Sequence, residues 1–415
     1  MGCKTACVGD VCRINARQYS PKENWPRIQY LDTGSVTRGS IDKPQRFDSV
    51  NDKVPSRARR KVQKQSIVYS MVRPNQEHYA LIENPPADML VSTGFSVIDA
   101  DTSIVVPQYL YYALTRKETT VHFQALAEQS VSTYPTLGVS DLACFQIDLP
   151  ELETQNKIAS LLSLFDEKIA INNRTNDYLE ELLLAKYDKL FGAFEQATCT
   201  GTLADIGEVV GGATPSKKRS DYYCHGGIGW ITPRDLSNTT NKFIAHGADD
   251  ITDEGYASCS ARLIPKGSVL FSSRAPIGYI AIATNELTTN QGFKSVIPLE
   301  QYGTAFVYCF LKKNKNRVSD MGAGTTFPEV SGKAMKRIGL KIPNADLCAE
   351  FSTFANPLLD QQRTNEEENR KLEALRDSLL PKLMSGEIDV SNIDFSQLNN
   401  HLSDCSRLSS LAMSS

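Results

Sequence analysis

Residues 132–150 read STYPTLGVSDLACFQIDLP and residues 325–343 read TTFPEVSGKAMKRIGLKIP. Thr133 faces Thr326, Tyr134 faces Phe327, Pro135 faces Pro328 and Pro150 faces Pro343, all at an offset of 193 residues. A helical pattern follows each closing proline and keeps the same offset. Asn172 meets Asn365, Asn176 meets Asn369, Leu179 meets Leu372, Glu180 meets Glu373, Leu182 meets Leu375, and Lys189-Leu190 meets Lys382-Leu383. The regions ahead repeat too, with offsets that drift as loops differ. ACVGDVC at 6–12 parallels ADIGEVV at 204–210, QSIVYSMVRP at 65–74 parallels GSVLFSSRAP at 267–276, and Gly94-Phe95 parallels Gly292-Phe293, while Trp25 and Trp230 fall at comparable places. The chain is lobe, helix, lobe, helix: one ancestral unit duplicated. Its 415 residues are also too many for one ordinary core.

Within the lobes, short apolar or alternating runs such as GSVLFS and YIAIAT, broken by Gly and Pro, predict strands and loops. In the connectors the period changes. Phe165, Ile169, Asn172, Asn176, Leu179, Leu183, Lys186 and Leu190 recur by alternating fours and threes, the stripe of a helix packed lengthwise on another. Leu358, Asn365, Asn369, Leu372, Leu379 and Leu383 keep equivalent places in the second copy. The expected fold class is therefore mixed α+β, with pseudo-two-fold duplication: two globular α/β domains, at 1–150 and 200–343, joined by two long helices, at 151–199 and 344–391, that pack on each other in a crossed or antiparallel pairing. Residues 392–415, rich in Ser and Asn, read as a tail. An Asn at a helix seam costs stability but fixes register, because a slipped pairing buries an unsatisfied amide; the competing reading leaves Asn172 and Asn176 facing solvent. Phe165 to Leu190 would make a rod of roughly 39 Å at about 1.5 Å per residue. That matches the ~34–36 Å between half-sites one turn apart on DNA.

Net charge is only −3, but its distribution is uneven. Residues 1–75 hold 15 Lys and Arg against 6 Asp and Glu, and residues 200–343 hold 17 against 12. The connectors are acidic, with 5 against 9 over 151–195 and 5 against 10 over 344–391. Positive lobes suit a polyanion and acidic connectors suit protein partners, since the latter would repel phosphate. Apolar content of 41% excludes a disordered chain, and no run of eighteen apolar residues or basic-then-apolar start is present, which predicts a cytoplasmic protein with no membrane partner. The start Met1-Gly2 lacks the Ser or Thr at position six that myristoylation requires. Ten cysteines without a secretory signal imply reduced thiols, and the loose spacing of Cys3, Cys7 and Cys12 favours small packed side chains over a metal site.

No catalytic constellation emerges. Asn84-Pro85-Pro86 brushes against the Asn-Pro-Pro-aromatic motif of amino-methyltransferases, but Ala87 replaces the aromatic that would stack on a flipped base, and a turn is the better reading. Gly332-Lys333-Ala334 lacks the hydroxyl and spacing of a phosphate loop. The histidines at 78, 122, 225, 246 and 401 form no ligand or triad spacing.

The order of ADIGEVVGGATPS at 204–216, Trp230-Ile231-Thr232-Pro233-Arg234-Asp235-Leu236, SSRAPIG at 272–278, NQGF at 290–293 and TTFP before a long helix, doubled over nearly the whole chain, resembles the specificity subunit of type I restriction-modification systems. The first lobe departs more from that pattern, in WPRIQYLDTGSVTRGSI and RARRKVQK, as two lobes reading different sequences would. The resemblance implies two target-recognition domains, each reading half of a bipartite site in double-stranded DNA, and an antiparallel helical spacer. It implies docking of two modification (methyltransferase) subunits and of restriction (translocase and nuclease) subunits. S-adenosylmethionine, ATP and Mg would enter with those subunits, and this chain would hold no cofactor and catalyse nothing.

On that reading Arg57, Arg59, Arg60, Lys61 and Lys64, five cations in eight residues, are candidates for a phosphate clamp, against a merely solvated loop. Lys217, Lys218 and Arg219 follow a Gly-Gly-Ala-Thr-Pro turn and could cradle the backbone likewise. Arg73 and Arg274 sit at matched places after strand-like runs and could each grip a guanine, or simply pair with a local carboxylate. Arg234, Gln291 and Lys294 complete the candidate set. Two other functions compete: a self-sufficient DNA methyltransferase or nuclease, and a two-lobed protein adaptor that never touches DNA.

Overall fold

The structure, a computed structural model, describes residues 4–130, 134–195, 198–274, 276–323 and 328–390, with side chains undescribed at 193–195. Ser132, Thr133, Thr325, Thr326 and Phe327 of the repeated passage, Cys3, and the 392–415 tail with His401 lie outside the described residues. The chain divides into two compact units, one of Met1–Glu167 with Leu372–Ser415 and one of Lys168–Lys371. Each unit thus owns one lobe and part of both long helices.

In the first unit one antiparallel sheet runs Cys12–Ile14, Phe95–Ala100, Ser66–Ser70, Tyr79–Ile82. A second runs Gln45–Asp48, Arg27–Leu31, Met89–Ser92, Ala58–Lys61, and its central pair is parallel. A two-stranded ribbon of Lys4–Cys7 and Gln146–Leu149 closes the lobe. Helices Pro107–Thr115 and Lys117–Glu128 bury Tyr109, Leu110 and Phe123 against Ile67, Tyr69 and Ile98. The same core takes Ile158, Ala159 and Leu162 from the helix Leu152–Glu195 and Leu380, Leu383 and Met384 from the helix Ala345–Met384. Cys12 is buried with its thiol donating to the Val8 carbonyl at 2.8 Å, and burial pushes that thiol up to about 12. It is a packed side chain, as the sequence suggested. Asn84–Ala87 form the turn between Tyr79–Ile82 and Met89–Ser92, where the Met89 N–H donates to the Pro86 carbonyl at 3.0 Å.

The second unit repeats this plan. Its five-stranded sheet runs Gly207–Gly211, Lys294–Pro298, Val269–Phe271, Ile280–Ala283, Phe243–Ile244. A parallel pair, Gly229–Ile231 with Leu287–Thr289, corresponds to Arg27–Leu31 with Met89–Ser92. The ribbon Gly201–Thr202 with Gly339–Leu340 matches the closing ribbon of the first lobe. The helix Gly303–Lys313 packs Phe306 and Phe310 against Leu183, Tyr187 and Phe191 of one long helix and Phe351 and Ala355 of the other. Tyr187 and Phe191 were absent from the stripe read by alternating fours and threes. They follow Leu183 at a strict spacing of four because here the helix faces the lobe as well as its partner helix, which widens the apolar face. Lys186, assigned to that stripe, instead reaches Glu350 at 2.9 Å and lies 5.5 Å from the Phe354 ring centroid.

The helix seam in the second unit is polar and antiparallel. Asn172 donates to Asn369 at 2.8 Å, and Asn365 donates to Asn176 at 2.8 Å. A shift of 193 residues turns the first bond into the second, so the duplication makes the seam symmetric about its own centre. Asn172, Asn365 and Asn369 are 3%, 5% and 7% exposed, which decides for the seam over the solvent-facing reading. Asn172 also donates to Glu368 at 2.8 Å and Asn369 donates to Asn173 at 2.8 Å. Replacing Asn369 by leucine should cost about 1–3 kcal/mol in urea unfolding, because Asn172 and Asn173 lose their partner inside the seam. Asn172→Leu with Asn369→Leu should recover most of that while loosening register; a double variant as unstable as the single would contradict it.

Candidate nucleic-acid interface

In the second unit four loops converge. Gly212 lies so close to the backbone that a methyl built on it would overlap the carbonyl oxygens of Thr289 and Asn290. Glycine therefore lets Ala213 donate to the Thr289 carbonyl at 3.0 Å. The Trp230 indole N–H donates to the Ala213 carbonyl at 2.9 Å and the Tyr223 hydroxyl to the Pro215 carbonyl at 2.8 Å, with the two rings 5.5 Å apart. The Asn290 N–H donates to Ile231 at 2.9 Å, and the Ser273 N–H donates to Gly292 at 2.7 Å. The segments 211–219, 230–236, 272–274, 276–278 and 290–294, scattered over more than 80 residues of sequence, form one surface.

On that surface the candidate side chains differ in availability. Lys217, Lys218 and Arg234 are exposed and form no ion pair among the described residues. Arg219 is held by Asp221, with Nη2 to Oδ2 at 2.6 Å, and lies 4.7 Å from the Tyr222 ring centroid; the hydrogen bond keeps the Asp221 carboxyl below its ordinary range. Gln291 accepts from the Thr214 hydroxyl, which ties two of the loops together. Lys294 is 15% exposed and reaches Glu329 at 3.3 Å; Arg274 reaches the same carboxylate at 3.7 Å. For Arg274 the carboxylate-paired alternative is thus realised.

In the first unit the basic run is not a loop throughout. Ala58–Lys61 is a strand flanked by Met89–Ser92 on one side and bridged at Gln18 on the other, while Lys64 lies beyond it. Arg57 and Lys64 are exposed and Arg59 half-buried. Lys61 pairs with Glu23 at 2.5 Å and lies 5.1 Å from the Trp25 ring centroid, so its charge is compensated. Arg60 is half-buried, burial lowers its pKa, and its Nε has no acceptor among the described residues. Arg73 is exposed, in the left-handed region at φ 49°, and lies 4.8 Å from the Tyr134 ring centroid.

Two sequence matches shift in register. The isolated bridge Val72–Thr136 has Arg274–Glu329 as its counterpart, and Leu137 donates to Met71 as Val330 donates to Ser273. Arg274 therefore occupies the place of Val72, and Arg73 lies one residue further on. In the parallel strand pairs Leu31 faces Val91 as Ile231 faces Thr289, which makes Tyr30, not Trp25, the counterpart of Trp230. The contacts of Gly94 with Thr33 and of Gly292 with Pro233 fix the next positions, so Arg234 corresponds to Gly34. The strings 65–74 and 267–276 already set Val72 opposite Arg274, one position before Arg73, and the stretches ahead of the parallel strand pairs differ in length between the lobes, so Trp25 and Trp230 do not share a place.

Among the described residues no cluster of His, Cys, Asp and Glu could hold a metal ion, and no helix is long and apolar enough to cross a membrane. As site residues the sequence reading missed Thr214, near which Gly212 was the available signal, Lys333, which it considered only within Gly332-Lys333-Ala334 as a phosphate loop, and Lys336 and Arg337.

The sequence model described as the type I restriction modification DNA specificity domain matches twice, over residues 2–181 and 199–373. The chain is 24% identical to the type I restriction enzyme HindI specificity subunit of Haemophilus influenzae, over 93% of this chain and 99% of the relative. It is 40% identical to the MjaIX specificity subunit of Methanocaldococcus jannaschii over 42% of this chain and 40% of the relative. In fold it is similar to the crystal structure of a type I restriction-modification S subunit from M. genitalium, with a TM-score of 0.54 at 18% identity over 92% of this chain and 96% of that one. With two matched domains in tandem over residues 2–181 and 199–373, the chain belongs to the family of type I restriction-modification specificity subunits, the non-catalytic chains that recognise DNA for their complexes.

Proposed function

We propose that each domain reads one half of a bipartite DNA site, that the two halves differ, and that the long helices set the unread spacer and carry two modification subunits, with restriction subunits joining them. S-adenosylmethionine, ATP and Mg then enter with those partners. The observation that carries this reading is that one scaffold presents different chemistry at equivalent places: Arg274 against Val72, Arg234 against Gly34, Trp230 against Tyr30. A chain needing two copies of one contact would keep the side chains alike. Phosphate contacts position and base-edge contacts specify, so Lys217, Lys218, Arg57, Arg59 and Lys64 suit the first role and Arg234, Gln291 and Arg73 the second.

The test is reconstitution. The isolated chain with DNA and S-adenosylmethionine should methylate nothing, whereas the chain with modification subunits should methylate one asymmetric bipartite sequence, and lengthening its spacer by a helical turn should abolish methylation. Turnover by the isolated chain would support a self-sufficient enzyme; no binding to duplex at low salt would support a protein adaptor. Gly212→Val should displace the loop that carries Thr214, Lys217 and Lys218, and weaken discrimination at the second half-site by tenfold or more while the first half is still read. Unchanged discrimination in that variant would remove this loop from the interface.

A further inference from the structure

The second unit has a cleft of about 590 Å³ lined by Val209, Gly211, Lys294, Gly332, Lys333, Lys336 and Arg337. Four of its seven lining residues are cations. Lys333, Lys336 and Arg337 are exposed and form no ion pair among the described residues, although Lys336 is near enough to Glu208 to help Arg262 lower the pKa of its carboxyl. The neighbouring carboxylate Glu208 is taken by Arg262 at 2.6 Å, and Glu329 is shared by Lys294 and Arg274. These three cations sit on or just beyond the short helix Gly332–Lys336, anchored by Met335 at 0% and Ile338 at 1% exposure and capped where the Ala334 N–H donates to the Ser331 hydroxyl at 3.1 Å. Spaced by three and four, they repel one another.

Folding does not need these charges. The duplicated helix Val139–Cys144 of the first unit buries Leu142 where Met335 lies, and at the places of Lys333, Lys336 and Arg337 it carries Ser140, Ala143 and Cys144. The same scaffold stands without any of the three cations, so their repulsion is tolerated for something outside the chain. The cleft is continuous with Gly211, where the loop to Lys217 and Lys218 departs, and with the Lys294–Glu329–Arg274 group, so it borders the surface assigned to DNA.

We propose that this cleft grips the sugar-phosphate backbone of the duplex beside the second half-site, a grip that the first domain lacks at its equivalent helix. The inference rests on the proposed function and names a set of phosphate contacts within it. Its test is the full chain, assembled with modification subunits, carrying Lys333→Ser, Lys336→Ala and Arg337→Ser, compared with wild type for binding to the methylated sequence across a salt series. Each lost phosphate contact removes about 0.9 from the slope of log K against log salt, so the variant slope should be shallower by about three. The methylated sequence and the number of modification subunits retained should not change, and Lys333→Arg with Lys336→Arg should keep the wild-type slope. A triple variant that binds selectively with the wild-type slope overturns the cleft alone. Loss of modification subunits at unchanged slope overturns it in favour of an acidic protein surface. Wild-type complex without any sequence-selective binding overturns the proposed function and the cleft together.

Discussion

Replacing Lys242 by methionine is expected to lower the unfolding free energy of the Lys168–Lys371 unit by about 3–5 kcal/mol. The Lys242 ammonium pairs with Glu180 of one long helix, donates to Gln362 Oε1 of the other at 2.5 Å, and lies 4.8 Å from the Tyr308 ring centroid. Its backbone N–H and that of Phe243 donate to the Glu366 carboxylate at 2.8 and 3.1 Å. The ion pair is 10% and 16% exposed, so removing the cation leaves Glu180 buried with Lys312, at 2.9 Å, as its one remaining cation among the described residues, beside the Tyr308 hydroxyl that donates to it at 2.9 Å. Burial pushes the Glu180 carboxyl up, but Lys242 and then Lys312 outweigh it and hold it at about 2. A folded-state pKa below the unfolded one gives stability that is complete above about pH 4.5 and is lost as pH falls toward 2. Glu366 acts in the opposite sense: burial raises its pKa, so its ionised form costs stability and acidification relieves that cost. Urea midpoints measured at pH 5 and pH 2.5 should therefore converge in Glu180→Gln and diverge further in Glu366→Gln. A Lys242→Met loss below 1 kcal/mol would show that this pair does not tie lobe to helices.

Phe351→Ala should cost about 3–5 kcal/mol in the same unit. Phe351 is fully buried, with ring centroids of Tyr187 at 5.9 Å and Phe191 at 5.5 Å, and Phe191 lies 4.9 Å from Phe306 of the lobe helix. The offset of 193 makes Ile158 its counterpart, and Leu380 and Met384 the counterparts of Tyr187 and Phe191. The same joint is therefore aliphatic in the first unit and aromatic in the second. Truncating the aromatic removes more volume and also forfeits ring pairing, about 0.5–1.5 kcal/mol for each pair. Hydrogen exchange should rise in Leu183–Phe191 and Gly303–Lys313 of Phe351→Ala. Protection unchanged in both segments would mean that the cluster fills space without joining the elements.

Duplication was legible because a constant offset needs no alignment, and long helices because a stripe sustained over 26 residues in each copy is hard to counterfeit. The asparagine seam followed from both: in an antiparallel pair related by the duplication Asn172 meets Asn369 and Asn365 meets Asn176, so the bond one residue makes is repeated by its counterpart 193 positions on. What stayed hidden was pairing across loops of unequal length: Trp25 was matched to a place that Tyr30 fills, because hydrogen-bond register decides equivalence. The Arg73 and Arg274 match failed by one residue although the strings 65–74 and 267–276 set Val72 against Arg274. The basic residues were visible as charges, but not their neutralisation. Arg219 is held by Asp221 two positions on, Lys217 and Lys218 pair with no carboxylate among the described residues, and Glu329 reaches Lys294 from far along the chain. Convergence of 211–219, 230–236, 272–274 and 290–294 is likewise a product of sheet topology.

That each domain reads its own half of the target is tested most directly by mapping methylated adenines across a host genome carrying this chain with its modification subunits, first as wild type and then with Arg234→Ala and Gln291→Ala together. Wild type should mark one asymmetric sequence in two blocks separated by unread bases, and the double variant should degrade one block while leaving the other and the spacer intact. A single uninterrupted motif, or equal degradation of both blocks, would contradict the account.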